Sequence, residues 1–149
     1  MVLRWLLASL HLLALPIGLA AVWTRGRALR AVRHSDGLND VFRADNAWGL
    51  AAVLWLATGL WRLLGATEKA TSYYLHDRVF YTKVALFLLI LLLELAPMAT
   101  LIRWRIALRR GAPVDTSRAP AFARISQIQA ALVLLMVFLA TALARGFFY

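Results

Sequence analysis

The sequence predicts an all-α integral membrane four-helix bundle, N-out and C-out, with a short cytoplasmic interfacial helix before the second span. Three observations predict it. Apolar residues make up 62% of the chain and the mean hydropathy is +0.71. They gather into four stretches near or above the ~20 residues that cross a hydrocarbon core, and these are apolar all round where a soluble helix has one polar face. Lys and Arg cluster in alternate connecting segments, as retention of basic residues on the cytoplasmic side requires.

The first span runs from about Val2 to Thr24. It is long for the apolar region of a signal peptide, and its Arg-rich segment follows instead of preceding it, so it reads as a retained anchor. The other spans are about Ala47 to Leu64, Val79 to Ile102 and Ala119 to Leu143, all within one transmembrane domain, 1–149. Eleven basic residues lie on one side: Arg25, Arg27, Arg30, Arg33 and Arg43 after span one, and Arg103, Arg105, Arg109, Arg110, Arg118 and Arg124 around the third loop. The other side has six, which places loops one and three in the cytoplasm. In loop one, Ser35 or Asp36 can cap a short helix in which Leu38, Val41 and Phe42 recur at helical spacing. Trp48 after it, and Tyr73 with Tyr74 in the outer loop, suit the headgroup boundary.

The net charge of +10 admits nucleic acid as a partner, but the basic residues flank apolar spans, where topology and anionic lipid headgroups account for them. The expected partners are therefore the bilayer, anionic headgroups at the Arg-rich face, and a protein partner or a second copy, with no nucleic acid. The absence of cysteine excludes disulfides, iron–sulfur clusters and thiolate zinc sites. No phosphate-binding glycine loop, Ser/His/Asp order or paired carboxylates appear.

Inside the spans an ionisable group costs at least ~2.5 kcal/mol, so each calls for a partner or a use. His11 lies ~10 Å along its helix from Arg4, and Lys83 ~7 Å from Arg78, which puts both at similar depth in the outer half. His76, Lys83, Phe87, Ile90 and Glu94 share one helical face, as do Trp48, Ala52, Trp55, Gly59 and Arg62. A flat ring can lie against Trp48 and Trp55, and neutral imidazole is a good ligand for haem iron, so His11, Lys83, Trp48 and Trp55 form a candidate cofactor site with His11 on the metal. Plain helix packing accounts for the same residues. Glu94, deep in span three, expects a partner at its own level: Asn46 or Gln127, or Arg43 or Arg124 reaching inward. His34 with Asp36 and Asp40 matches no metal-binding spacing and reads as a solvated loop. The runs Arg25-Gly-Arg-Ala-Leu-Arg30 and Arg103-Trp-Arg-Ile-Ala-Leu-Arg109, each downstream of a proline, echo one another as two parallel hairpins would.

The stretches Phe42-Arg-Ala-Asp-Asn-Ala-Trp-Gly-Leu50 and Trp55-Leu-Ala-Thr-Gly-Leu-Trp-Arg62 resemble an uncharacterised bacterial family of predicted four-helix membrane proteins, domain of unknown function 2214. With His11-Leu-Leu-Ala-Leu, Tyr74-Leu-His-Asp, Lys83 and Glu94-Leu-Ala-Pro-Met98, the similarity covers nearly the whole chain. It implies a multi-pass protein of a bacterial inner membrane. A looser similarity runs to haem-binding membrane protoporphyrinogen oxidases and copper-resistance membrane domains, which implies haem b with His11 and Lys83 in the site. Tyr81 stands where that pattern has a histidine, and His76 is displaced by five residues. Three functions follow as expectations: a haem-binding redox protein, a non-enzymatic accessory or scaffold subunit of a larger membrane complex, and an oligomeric, proton-coupled or small-molecule transporter.

Overall fold

The computed structural model describes residues 2–32, 37–65 and 78–145. Within them lie four helices, α1 (Val2–Ala31), α2 (Leu38–Leu64), α3 (Arg78–Arg109) and α4 (Ala119–Arg145). All four are long and apolar enough to cross a bilayer, and the chain is a multi-pass membrane protein. Exposed leucines and aromatic residues such as Leu12, Trp23, Leu50, Leu92 and Phe138 cover the outside, as lipid-facing positions should.

Three helices overrun the expected spans, all at the Arg-rich end. α1 continues seven residues past Thr24, α2 starts at Leu38, and α3 reaches Arg109. Residues 38–46 are helical, as the spacing of Leu38, Val41 and Phe42 predicts, but they are the first turns of α2 and not a separate interfacial helix. Nothing between Phe42 and Trp48 breaks a helix, and Asp45 and Asn46 face partners within the fold instead of stopping it. The expected caps Ser35 and Asp36 lie outside the described residues, as do Arg33, His34, Tyr73, Tyr74 and His76. Gly37 occupies the N-cap position without a side-chain bond.

α3 ends in a Schellman turn. Ala112 N–H donates to the Ala107 carbonyl at 2.9 Å and Gly111 N–H to that of Leu108 at 3.1 Å, with Gly111 at φ 65°, the left-handed conformation the motif requires. In the link to α4, Ser117 N–H donates to Asp115 at 2.9 Å, and that bond holds the exposed Asp115 carboxyl below its ordinary pKa.

α1 is the hub of the bundle. It packs most extensively on α2 and next on α4, α4 packs on α3, and the backbones of α2 and α3 scarcely approach one another. The α2/α3 seam is closed by side chains instead. Two apolar cores are stacked along the axis. One, at the Arg-rich end, joins Leu29, Leu38, Val41, Leu101, Trp104, Phe122 and Ala123. The other, in mid-bundle, joins Ala21, Val22, Trp48, Ile90, Ala130, Val133 and Met136. The first core explains the overrun: the helices carry their packing beyond the ~30 Å hydrocarbon layer into a helical lobe.

Helix approach depends on small residues where lipid supplies no hydrophobic drive between helices. A Cβ on Gly26 would stand 3.2 Å from Ser126 Cβ and 3.4 Å from the Ala123 carbonyl oxygen, so this glycine sets the α1–α4 distance. Gly49 has nothing within 4 Å of that position. Gly26→Val is therefore expected to cost about 1–3 kcal/mol by overpacking. Gly49→Ala is expected to stabilise by up to about 1 kcal/mol through helix propensity. Thermal unfolding in detergent checks both signs.

Candidate functional site

The polar residues that have to be accommodated in an apolar bundle segregate into two layers. The inner layer separates the two apolar cores and is organised by Arg25, whose side chain is fully buried. A guanidinium has five N–H donors, and here each has an acceptor. Nε donates to Ser126 Oγ at 3.2 Å; Nη1 donates to Asp45 Oδ1 at 2.9 Å and Glu94 Oε1 at 2.6 Å; Nη2 donates to Glu94 Oε2 and Gln129 Oε1, both at 2.8 Å. The two parallel bonds to Glu94 form the fork-to-fork pairing that arginine makes and lysine does not.

Glu94 Oε2 also accepts from Trp48 Nε1 at 3.0 Å and from Gln129 Nε2 at 2.8 Å, and the same Gln129 amide donates to the Ile90 carbonyl at 3.2 Å. Asp45 turns its second oxygen to Arg105 Nη2 at 2.8 Å. Arg105 in turn donates to Asn46 Oδ1 at 2.7 Å and lies over the Phe42 ring at 4.7 Å. Two guanidinium groups and two carboxylates from α1, α2 and α3 thus form one electrically balanced cluster, to which Ser126 and Gln129 tie α4.

Its depth follows from helix rise. Asp45 is ~28 Å from Leu64 along α2, and Glu94 and Gln129 are ~24 Å from Arg78 and Arg145 along α3 and α4. The layer therefore sits near the Arg-rich edge of a ~30 Å hydrocarbon core and not at its centre, where ionisable groups cost most.

This changes the expected surroundings of Glu94. Its cationic partner is Arg25, not Arg43 or Arg124, and its amide partner is Gln129, not Gln127. Gln127 accepts from Arg30 at the periphery, and Asn46 belongs to Arg105. Two residues, about 200° of rotation about the helix axis, separate the two positions: Gln129 is buried and Gln127 is half-exposed. The sequence echo likewise pairs Arg25 with Arg103, yet Arg25 is buried and Arg103 is exposed.

The outer layer contains His11, half-buried against α2. Thr58 Oγ1 spends its hydroxyl proton on the Leu54 and Trp55 carbonyls at 2.7 and 3.2 Å. The 2.9 Å contact between His11 Nδ1 and Thr58 Oγ1 is therefore an Nδ1–H donation, which leaves Nε2 with its lone pair. The imidazole stacks on Trp55 at 5.4 Å and 12°, and Trp55 meets Phe87 at 5.0 Å across the α2/α3 seam. Gly59 admits the ring: a Cβ there would lie 3.0 Å from His11 Cε1. The charges of Arg62 and Lys83 both act on His11.

Between the layers a cavity of about 240 Å³ opens at the α2/α3 seam, lined by Trp48, Gly49, Ala52, Trp55, Leu91 and Glu94 among others. That equals the share of roughly eight water molecules at ~30 Å³ each, enough for a stretch of lipid chain and not for a helix of ~10 Å diameter. A haem b at His11 does not fit these residues. The donor chemistry suits, since Nδ1–H is anchored and Nε2 is bare. The space does not: the imidazole is clamped between Trp55 and Gly59, His11 does not line the cavity, and about 240 Å³ is below the ~300–1,000 Å³ of ordinary small-ligand pockets. Among the described residues no group of three or more His, Asp or Glu side chains is set to hold a metal ion.

Removing one member of the ionic layer strands the others. Glu94→Ala is expected to cost about 3–5 kcal/mol, as loss of one partner from a buried pair does. Arg25→Lys should also destabilise, because three donors on a point charge replace five on a fork. Combining Arg25→Met with Glu94→Met should cost less than the sum, with a coupling of at least about 2 kcal/mol in a double-mutant cycle of chemical unfolding.

Residues 3–147 match the family described as predicted membrane protein (DUF2214). No curated protein and no solved structure matches the chain. A match over nearly its whole length makes this chain a member of the DUF2214 family of predicted membrane proteins.

Proposed function

We propose that the protein is a non-enzymatic accessory or scaffold component of a bacterial inner membrane, with both termini outside and its Arg-rich end in the cytoplasm. The observation that carries this reading is the closure of the inner layer. Arg25, Asp45, Glu94 and Arg105 neutralise one another, and the buried donors of Arg25 and Gln129 are all engaged.

A proton-coupled transporter keeps a carboxylate whose proton or ion is exchanged during turnover. Glu94 instead accepts four hydrogen bonds, two of them from a buried guanidinium, and releasing it would open the contact among all four helices. Catalysis would call for a nucleophile or base facing a roomy polar site. The cavity at the α2/α3 seam is small and mostly apolar, and the His11 ring is packed against aromatic and backbone atoms. A rigid frame with an apolar exterior serves to hold a neighbour in the membrane.

Purification from native membranes in mild detergent should yield a colourless protein with a stoichiometric partner chain or second copy. A monomer with a Soret band that His11→Ala abolishes would overturn the reading. The orientation has its own test, which the lack of native cysteine makes clean. An impermeant maleimide applied to spheroplasts should label Arg145→Cys, and Arg110→Cys only after the membrane is opened.

A further inference from the structure

The Arg-rich end carries a second cavity, about 400 Å³, between α1 and α2. Its lining repeats one spacing on both helices: Thr24, Arg27 and Ala28 on α1, and Asp40, Arg43 and Ala44 on α2. Positions i, i+3 and i+4 share a helical face, so two like faces meet across the groove. The alanines leave room between the helices, and the two arginines flank it.

These arginines differ from their neighbours. Arg25 and Arg105 are consumed by the ionic layer and Arg30 donates to Gln127. Arg27 and Arg43 are exposed and make no hydrogen bond or ion pair among the described residues, even with Asp40 in the same groove. Two unpaired guanidinium groups at opposite walls of an open groove, with a threonine hydroxyl beside them, are a receptor for a phosphate group, which takes arginine bidentately.

We propose that this groove binds a phosphate ester, and that its occupant is the headgroup of an anionic phospholipid with hydroxyl donors. Position favours a lipid: Thr24 is one residue from Arg25, so the groove opens at the level where the ionic layer marks the hydrocarbon edge. Charge selects the headgroup. Two arginines and Asp40 sum to +1, which a phosphodiester monoanion balances, and Asp40 accepts from a hydroxyl of a glycerol headgroup. A choline headgroup offers Asp40 no N–H or O–H donor. The inference is independent of the scaffold reading and of sidedness, since it asks only that this end of the bundle lie at a membrane surface.

The test is native mass spectrometry of the full chain released from nanodiscs, with phosphatidylglycerol and phosphatidylcholine as probes. One phosphatidylglycerol should remain per chain, preferred at least tenfold over phosphatidylcholine. Arg27→Gln with Arg43→Gln should remove that preference. Arg109→Gln with Arg110→Gln, an equal loss of exposed charge at the same end, should preserve it. Thr24→Trp fills the groove from an exposed position with all charges intact, and should weaken retention at least tenfold while the melting profile stays native. Inorganic phosphate in phosphatidylcholine nanodiscs separates the two sources. If it stabilises the wild type and not the Arg27/Arg43 variant while phosphatidylglycerol shows no preference, the lipid assignment is overturned in favour of a soluble phosphate in the same groove. Equal retention of both lipids without a phosphate effect, or equal loss in the two double variants, overturns the site itself.

Discussion

Arg25 is the residue on which the bundle depends. Its guanidinium comes from α1 and reaches Asp45 on α2, Glu94 on α3, and Ser126 and Gln129 on α4. Removing an ion from water costs several kcal/mol even after relaxation, and such a cost is recovered only when every donor is engaged and the opposing charge is close. Both conditions are met. The flat fork presents five donors in fixed directions, and the acceptors approach from three different helices. Depth reduces the cost further, because the layer lies close to the polar boundary.

The rest of the architecture follows from where that layer sits. Below it the helices continue into a lobe with its own apolar core, so the Arg-rich end is a packed body and not a set of loops. Above it the mid-bundle core is closed on the α1 side and thin at the α2/α3 seam. Along that seam Trp55 against Phe87 above the layer, and Trp48 to Glu94 and Arg105 to Asp45 within it, bridge helices whose backbones remain apart. The cavity at the seam is the space those long side chains leave between them. His11 belongs to this upper region as a cross-helix tie from α1 to Thr58, its ring taking the room that Gly59 leaves.

Four helices, their order and their inward faces are legible in the sequence because hydrophobic length and 3.6-residue periodicity are local properties. Lys83, Phe87, Ile90 and Glu94 do share the inner side of α3, and Trp48, Ala52, Trp55 and Gly59 that of α2. The partner of Glu94 is not legible in the same way. Arg25 opens a run of arginines after an apolar span, the usual mark of a cytoplasmic flank, and nothing local separates it from Arg27 or Arg30. What distinguishes it is that α1 continues to Ala31, so that position 25 still faces the bundle. The clue lay in Asp45, a carboxylate on the next helix that calls for a cation at its own level. The choice between Gln127 and Gln129 depended on the rotation of α4, which apolar content all round the helix leaves undetermined.

The ionic layer also settles a problem that apolar packing leaves open. Helices in lipid gain little from hiding apolar surface from one another, so leucine-rich faces tolerate sliding by a turn at small cost. A slip of ~5.4 Å would carry Glu94 out of reach of Arg25, Trp48 and Gln129 together. The energy of the layer is thus concentrated in register. Only the correct alignment of α1, α2 and α3 brings Arg25 to both Asp45 and Glu94, and only the correct alignment of α4 brings Ser126 and Gln129 to the remaining donors. In this bundle the polar residues choose among the packings that the apolar residues permit.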